Sequence, residues 1–208
     1  MNTIYNSNPF TSSELHIELS QNTVLTSDIT ITSNNYFVFG QDGITFDGNN
    51  KTITIKDTTN YAGLFKNGGN GIAGKANITI KNVKINITSS TVIETSGFLC
   101  QSHFSTTSMN ILVENCSVTG NLTGYKANGL FGEYTGASGG NVIAKNCYFN
   151  GDITSSYSCG IFGRYSGSNS GTVTAKNCYI TGNITSDYSY GIFGSYSGSS
   201  SGTAIAEN

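Results

Sequence analysis

Gly129-Leu130-Phe131-Gly132, Gly160-Ile161-Phe162-Gly163 and Gly191-Ile192-Phe193-Gly194 open three successive units whose starts lie 31 residues apart. Each unit continues into a Ser/Gly-rich run, a polar/apolar alternation and an asparagine, as in Asn146-Cys147 and Asn177-Cys178. Toward the N-terminus the pattern loosens but persists: Gly97-Phe98-Leu99 and Gly63-Leu64-Phe65 take the opening place, Asn115-Cys116 and Asn82-Val83 the later one. The repeat therefore covers roughly two-thirds of the 208 residues.

A period between about 20 and 50 residues marks a solenoid, propeller or array, in which one unit cannot bury its own apolar side and must stack on the next. Within each unit the period is 2, as in Thr172-Val173-Thr174-Ala175-Lys176 and Asn77-Ile78-Thr79-Ile80-Lys81. That alternation is the signature of a strand with one buried face. Helical spacing is absent, and Gly, Ser, Asn and Thr are too dense for helices to persist. A propeller blade needs four strands and about 40 residues. A 31-residue unit suits one coil of a parallel β-helix with three short strands and their corners.

Charged residues make up only 11% of the chain, against about 25% in ordinary globular domains, so Ser, Thr, Asn, Gly and Tyr must form the surface. A net charge of −2 supplies no field for nucleic acid or acidic membranes, and nucleic acid is not expected as a partner. No apolar run approaches the roughly 18 residues of a membrane span, and Met1 to Ser20 lacks the basic-then-apolar order of a signal peptide. Within residues 1–22, Leu15, Ile17 and Leu19 alternate with Glu14, His16 and Glu18, which predicts a first strand capping the stack. The pattern breaks off at Asn208, one residue before another cysteine is due, so the expectation is a fragment of a longer repeat protein, the alternative being an end covered by a partner.

Cys116, Cys147 and Cys178 recur at the repeat spacing and should stack about 4.8 Å apart. Their parallel side chains suit a disulfide poorly, so the column reads as reduced thiols packed as small hydrophobes. Metal binding would need a histidine or a Cys-x-x-Cys close by, and His16 and His103 are isolated in sequence. Neither a metal nor a cofactor is expected.

Leu25-Thr26-Ser27-Asp28-Ile29, Phe46-Asp47-Gly48-Asn49-Asn50-Lys51-Thr52-Ile53, Gly63-Leu64-Phe65 and Lys81-Asn82-Val83, followed by the Gly-Leu-Phe-Gly units, occur in that order. From about Val24 onward this series resembles GLUG-motif repeat proteins of the right-handed parallel β-helix, pectate-lyase-like group. The resemblance implies an all-β, single-stranded right-handed parallel β-helix over residues 23–208, of about six to seven coils, with repeats starting near 63, 97, 129, 160 and 191. It implies a non-catalytic solenoid region of large microbial surface proteins, with related β-helices in viral particles. Gly97-Phe98-Leu99-Cys100 departs from the motif, and the stretch from Gly97 to Asn110 reads as an insertion placing Cys100, His103 and Phe104 on a loop.

Coil stacking should produce columns of like residues. Tyr134, Tyr165 and Tyr196 form one tyrosine ladder, Tyr157 and Tyr188 a second, Tyr148 and Tyr179 a third, while Asn82, Asn115, Asn146, Asn177 and Asn208 fill a corner that suits left-handed backbone. Glu133 and Arg164 fall on adjacent coils and read as an exposed ion pair worth at most about 1 kcal/mol. The first two tyrosine ladders are the candidate site: aromatic rings pack on sugar C–H groups while hydroxyls and amides pair with sugar hydroxyls. The expected function is a non-enzymatic structural or adhesive β-solenoid, contacting neutral glycans or other chains of its assembly. It would sit on a cell surface or virion as part of an exported protein, and otherwise inside the cell. The alternative is a polysaccharide-acting lyase or hydrolase, for which Asp42, Asp47 and Asp57 are the best acidic cluster.

Overall fold

The computed structural model describes residues 2–10, 15–92, 94–108 and 110–208. All regular structure among them is β. In chain order the strands are β1 (Thr3–Tyr5), β2 (His16–Leu19), β3 (Thr23–Leu25), β4 (Ile29–Ile31), β5 (Tyr36–Phe39), β6 (Thr45–Asp47), β7 (Thr52–Lys56), β8 (Phe65–Lys66) and β9 (Thr79–Lys81). They continue as β10 (Lys84–Thr88), β11 (Ile111–Glu114), β12 (Ser117–Thr119), β13 (Asn141–Lys145), β14 (Tyr148–Asn150), β15 (Thr172–Lys176), β16 (Tyr179–Thr181) and β17 (Thr203–Glu207).

Three parallel sheets result: β1-β3-β6-β9-β11-β13-β15-β17, then β4-β7-β10-β12-β14-β16, then β2-β5-β8. Past β8 the third sheet continues as single bridges from Phe65 to Cys100, Phe131, Phe162 and Phe193, because each Gly-x-Phe-Gly stretch is too short for a strand of its own. The chain visits the sheets in rotation and returns one rung further along, which makes a parallel β-solenoid. The alternation does its expected work: β15 buries Val173 and Ala175, and β7 buries Ile53 and Ile55. Fully burying a Val or Ile side chain contributes about 1.5–3 kcal/mol.

The solenoid makes about five turns, so the expected six to seven coils of 31 residues fit only roughly. Register explains why. Thr3 lies opposite Thr23, Thr23 opposite Phe46 and Thr45 opposite Thr79, so the early steps are unequal. From Ile111 onward the step is constant, with Ile111 opposite Val142, Asn141 opposite Thr172 and Thr172 opposite Thr203. Residues expected to form a cap supply the first rung β1 and the strand β2; Leu15 is exposed there, and Glu14 lies outside the described residues.

The stretch from Gly97 to Asn110 is no insertion. Gly97 bridges Asn128 and Cys100 bridges Phe131, so the motif there is displaced by one residue and Cys100 occupies the phenylalanine place. Phe98 packs over Tyr61 with ring centroids 6.2 Å apart, and Phe104 is buried against Phe131.

Two devices hold adjacent regular coils together. At the corner after the first sheet, Asn82, Asn115, Asn146 and Asn177 have φ of 56°, 53°, 52° and 49°. Each Nδ2 from Asn115 onward donates to the Oδ1 one coil earlier, at 3.3, 3.1 and 3.1 Å, and Asn82 donates to Asp47 Oδ1 at 2.9 Å. Glycine supplies the second device. A Cβ on Gly171 would lie 2.0 Å from the Gly136 carbonyl oxygen, so coils approach there as only glycine permits. Charged rungs are also paired along one column: Lys81 with Asp47 at 3.4 Å, Lys145 with Glu114 at 3.8 Å and Lys176 with Glu207 at 3.3 Å.

Candidate functional site

The tyrosine ladders form. Tyr134 stacks on Tyr165 at 4.9 Å and Tyr165 on Tyr196 at 5.0 Å, with ring planes 6° and 8° apart. Tyr157 stacks on Tyr188 at 5.0 Å, and Tyr148 on Tyr179 at 5.1 Å. His103, isolated in sequence, extends the first ladder by stacking on Tyr134 at 4.7 Å, and His16 stacks on Tyr36. Burial lowers the His103 pKa from its ordinary value.

The backbone under the first two ladders is unusual. Tyr134, Tyr157, Tyr165, Tyr188 and Tyr196 all have φ between 56° and 61°, as does His103 at 56°. Left-handed backbone costs a residue with a side chain roughly 1–2 kcal/mol, and glycine or asparagine would adopt it at less cost. Ring stacking, worth about 0.5–1.5 kcal/mol per pair beyond area burial, offsets much of that cost.

Stacking has a consequence that the column pattern alone does not reveal. Each ring covers the face of the next, so an interior tyrosine presents only its edge and hydroxyl. Tyr188 and Tyr196 are 63% and 61% exposed. These two rings, with Tyr157, Tyr190, Ser195 and Arg164, line a cleft of about 510 Å³ between the ladders. Tyr165 contributes from beneath through its contact with Arg164, whereas Tyr134 lies outside this cleft and borders a separate groove.

Arg164 is the residue that sequence reasoning undervalued. Its guanidinium lies 5.1 Å from the Tyr157 ring centroid and 5.2 Å from that of Tyr165, and its Nε donates to Ser195 Oγ at 3.0 Å. Nη1 is 3.8 Å from Glu133 Oε1. The expectation of an exposed ion pair is wrong, because Glu133 is only 4% exposed. The tyrosines flanking Arg164 cover the pair, and among the described residues no donor hydrogen-bonds Glu133 Oε1. Burial raises the Glu133 pKa, while Arg164 and Lys126 pull it down less strongly.

Glu133, Arg164 and Ser195 are column equivalents, which accounts for the cleft. Where Ser195 falls, the small side chain leaves the space that a long one would occupy. The site thus combines tyrosine rings, phenol and serine hydroxyls, and a guanidinium whose charge is compensated by Glu133 one coil earlier. It suits an uncharged, hydroxyl-rich ligand with an apolar face.

The carboxylates of the alternative reading are engaged locally. Asp42 accepts from the Ala76 N–H at 2.9 Å, Asp47 accepts from Asn49 and Asn82 and pairs with Lys81, and Asp57 lies 4.0 Å from Lys56. Burial would raise the Asp47 pKa, but the Asn82 amide, the Asn49 N–H and Lys81 outweigh it and hold the carboxyl below its usual range. Among the described residues no group of three His, Cys, Asp or Glu side chains could hold a metal.

All five thiols are free. Cys116, Cys147 and Cys178 each lie 3.3 to 3.4 Å from the carbonyl oxygen two residues earlier. Burial pushes Cys159 up to about 12 and Cys147 well above its ordinary value, while Cys178 is raised first by its contact with Cys147. Among the described residues no helix is long and apolar enough to cross a membrane. No protein-family model, characterised protein or solved structure matches the chain.

Proposed function

We propose that this chain is a non-enzymatic structural and adhesive β-solenoid of a larger surface or virion-associated assembly, one that holds a neutral glycan in the cleft between its tyrosine ladders. The finer architecture belongs to the same proposal: a right-handed helix of the GLUG-motif kind, built on a 31-residue coil with shorter coils at its N-terminal end. The observation that carries the reading is the charge-compensated Arg164 set among exposed tyrosine rings. A carboxylated ligand would compete with the buried Glu133 for the same guanidinium, and a cation would meet Arg164 directly. A pyranose, by contrast, offers hydroxyls to Ser195, the phenols and the guanidinium, and C–H groups to Tyr188 and Tyr196. The local engagement of Asp42, Asp47 and Asp57 supports a non-enzymatic role.

A glycan array carrying neutral and acidic structures provides the test, read with the wild type, Tyr196→Ala and Ser195→Arg. Neutral glycans should be retained by the wild type, weakened by Tyr196→Ala and lost with Ser195→Arg, which refills the cleft. Retention of nothing, or of acidic glycans alone, would end the reading.

A further inference from the structure

The first ladder has a second flank, and it is built differently. A groove of about 400 Å³ runs beside His103 and Tyr134 on the side away from Arg164, and its lining includes Asn70, Thr107, Ser138 and Asn169. Those residues come from four successive coils, so the groove runs along the solenoid axis. Thr107, Ser138 and Asn169 are column equivalents, 31 residues apart, with φ of 59°, 55° and 52°. They form a wall of hydroxyls and an amide opposite the ring edges.

The far end of the groove is closed by a glycine-rich loop between Asn67 and Lys75. Asn67 is fully buried and ties the neck of that loop: its Oδ1 accepts from the Lys75 N–H at 2.6 Å, and its Nδ2 donates to the Lys75 carbonyl at 2.9 Å and to Ser105 Oγ at 2.8 Å. Thr106 Oγ1 donates to the Gly69 carbonyl at 2.8 Å and pins the loop to the next coil. Asn70 and Gly71 are thereby fixed as an end wall.

Two exclusions narrow the ligand. The lining residues carry no formal charge with His103 neutral, so anions and cations gain nothing there. Nor can a peptide add as a strand, because the wall's main-chain N–H groups are already used between coils: Thr107 donates to Ala137, Ser138 to Ser168 and Asn169 to Ser199. What remains is recognition by hydroxyls, an amide and ring edges repeated at the coil spacing. We infer that this groove binds a linear, neutral oligosaccharide lying parallel to the solenoid axis, with successive sugar units against successive coils. The inference rests on the neutral-glycan reading for its ligand class, but not on the Arg164 cleft.

The probes are gluco- and N-acetylglucosamine oligosaccharides of one to six units, titrated calorimetrically into the full chain. The wild type is compared with Ser195→Arg and with the triple variant Thr107→Gly/Ser138→Gly/Asn169→Gly. Glycine removes the wall at positions whose backbone it adopts without strain. Affinity should rise at least about tenfold from one unit to four, equivalent to about 1.4 kcal/mol, and then level off. The triple variant should lose that gain and Ser195→Arg should keep it. A flat length series, or binding lost with Ser195→Arg but not with the triple variant, overturns the groove and leaves the cleft standing. Silence from every oligosaccharide overturns both. Saturation-transfer NMR on the wild type gives an independent reading should the triple variant fold poorly: contact from one sugar unit alone contradicts the inference.

Discussion

The N-terminal and C-terminal halves of the solenoid fill the same core with phenylalanine in different ways. In the regular coils Phe131, Phe162 and Phe193 lie face to face, 4.5 and 5.5 Å apart with planes 10° from parallel. In the early coils Phe37 still stacks on Phe65 in the same sheet, at 5.7 Å and 25°, but Phe46 enters from the first sheet and meets them at 50° and 71°. The distinction follows from the repeat. Where the same motif recurs at a fixed interval, one column supplies every ring and the stack is continuous and close to parallel; where motifs differ, a second sheet supplies a ring that packs across the stack. A constant repeat thus lengthens and straightens the stack, and it does the same for the ladders that make the candidate site.

The largest expected effect separates the two halves directly. Phe162→Ala should cost about 3–5 kcal/mol, because Phe131 and Phe193 both lose the ring they stack on, and Phe46→Ala about 1–2 kcal/mol less, because its neighbours Phe37 and Phe65 still stack on each other. Urea titration followed by amide exchange on each half would check this; equal losses would break the comparison. A smaller effect tests the corner that keeps the register. Asn146→Ala should cost about 2 kcal/mol, combining left-handed strain with lost amide bonds. Asn146→Gly should cost about 1 kcal/mol because only the bonds go. If glycine costs as much as alanine, the backbone conformation at this corner contributes nothing.

The smallest effects are pH slopes. His103 has a lowered pKa, so the unfolded chain binds its proton more readily and stability should rise with pH through the window just below 6.5. Glu133 has a raised pKa, so the folded chain holds the proton longer and stability should fall as pH rises from about 4.5. Thermal melts of His103→Tyr and Glu133→Gln should each remove one slope and leave the other.

Much of this fold was legible in the sequence because a fixed period translates into superposition without further information. Phe131, Phe162 and Phe193, the asparagine corner and the three tyrosine ladders all follow from spacing alone. What escaped was set by volume or by register. Gly97 looked like a motif opening, yet a glycine signals space rather than position, and pairing put Phe98 where Gly129 sits one coil later. His103 looked isolated because the ladder equivalence joins residues of different kinds. Glu133 looked exposed because coverage by tyrosines on other coils is not written in its own neighbourhood. The cleft itself is a difference within one column: it exists because Ser195 is short where Arg164 is long.

The asparagine corner also gives the rod an electrical direction. From Asn177 back to Asn82 every amide donates toward the N-terminal end, and the series finishes on the Asp47 carboxylate. Aligned dipoles in such a chain polarise one another, and an anion at the receiving end reinforces them all. Protonating Asp47 would therefore weaken more than its own contact, and acid should loosen this edge progressively from the carboxylate outward.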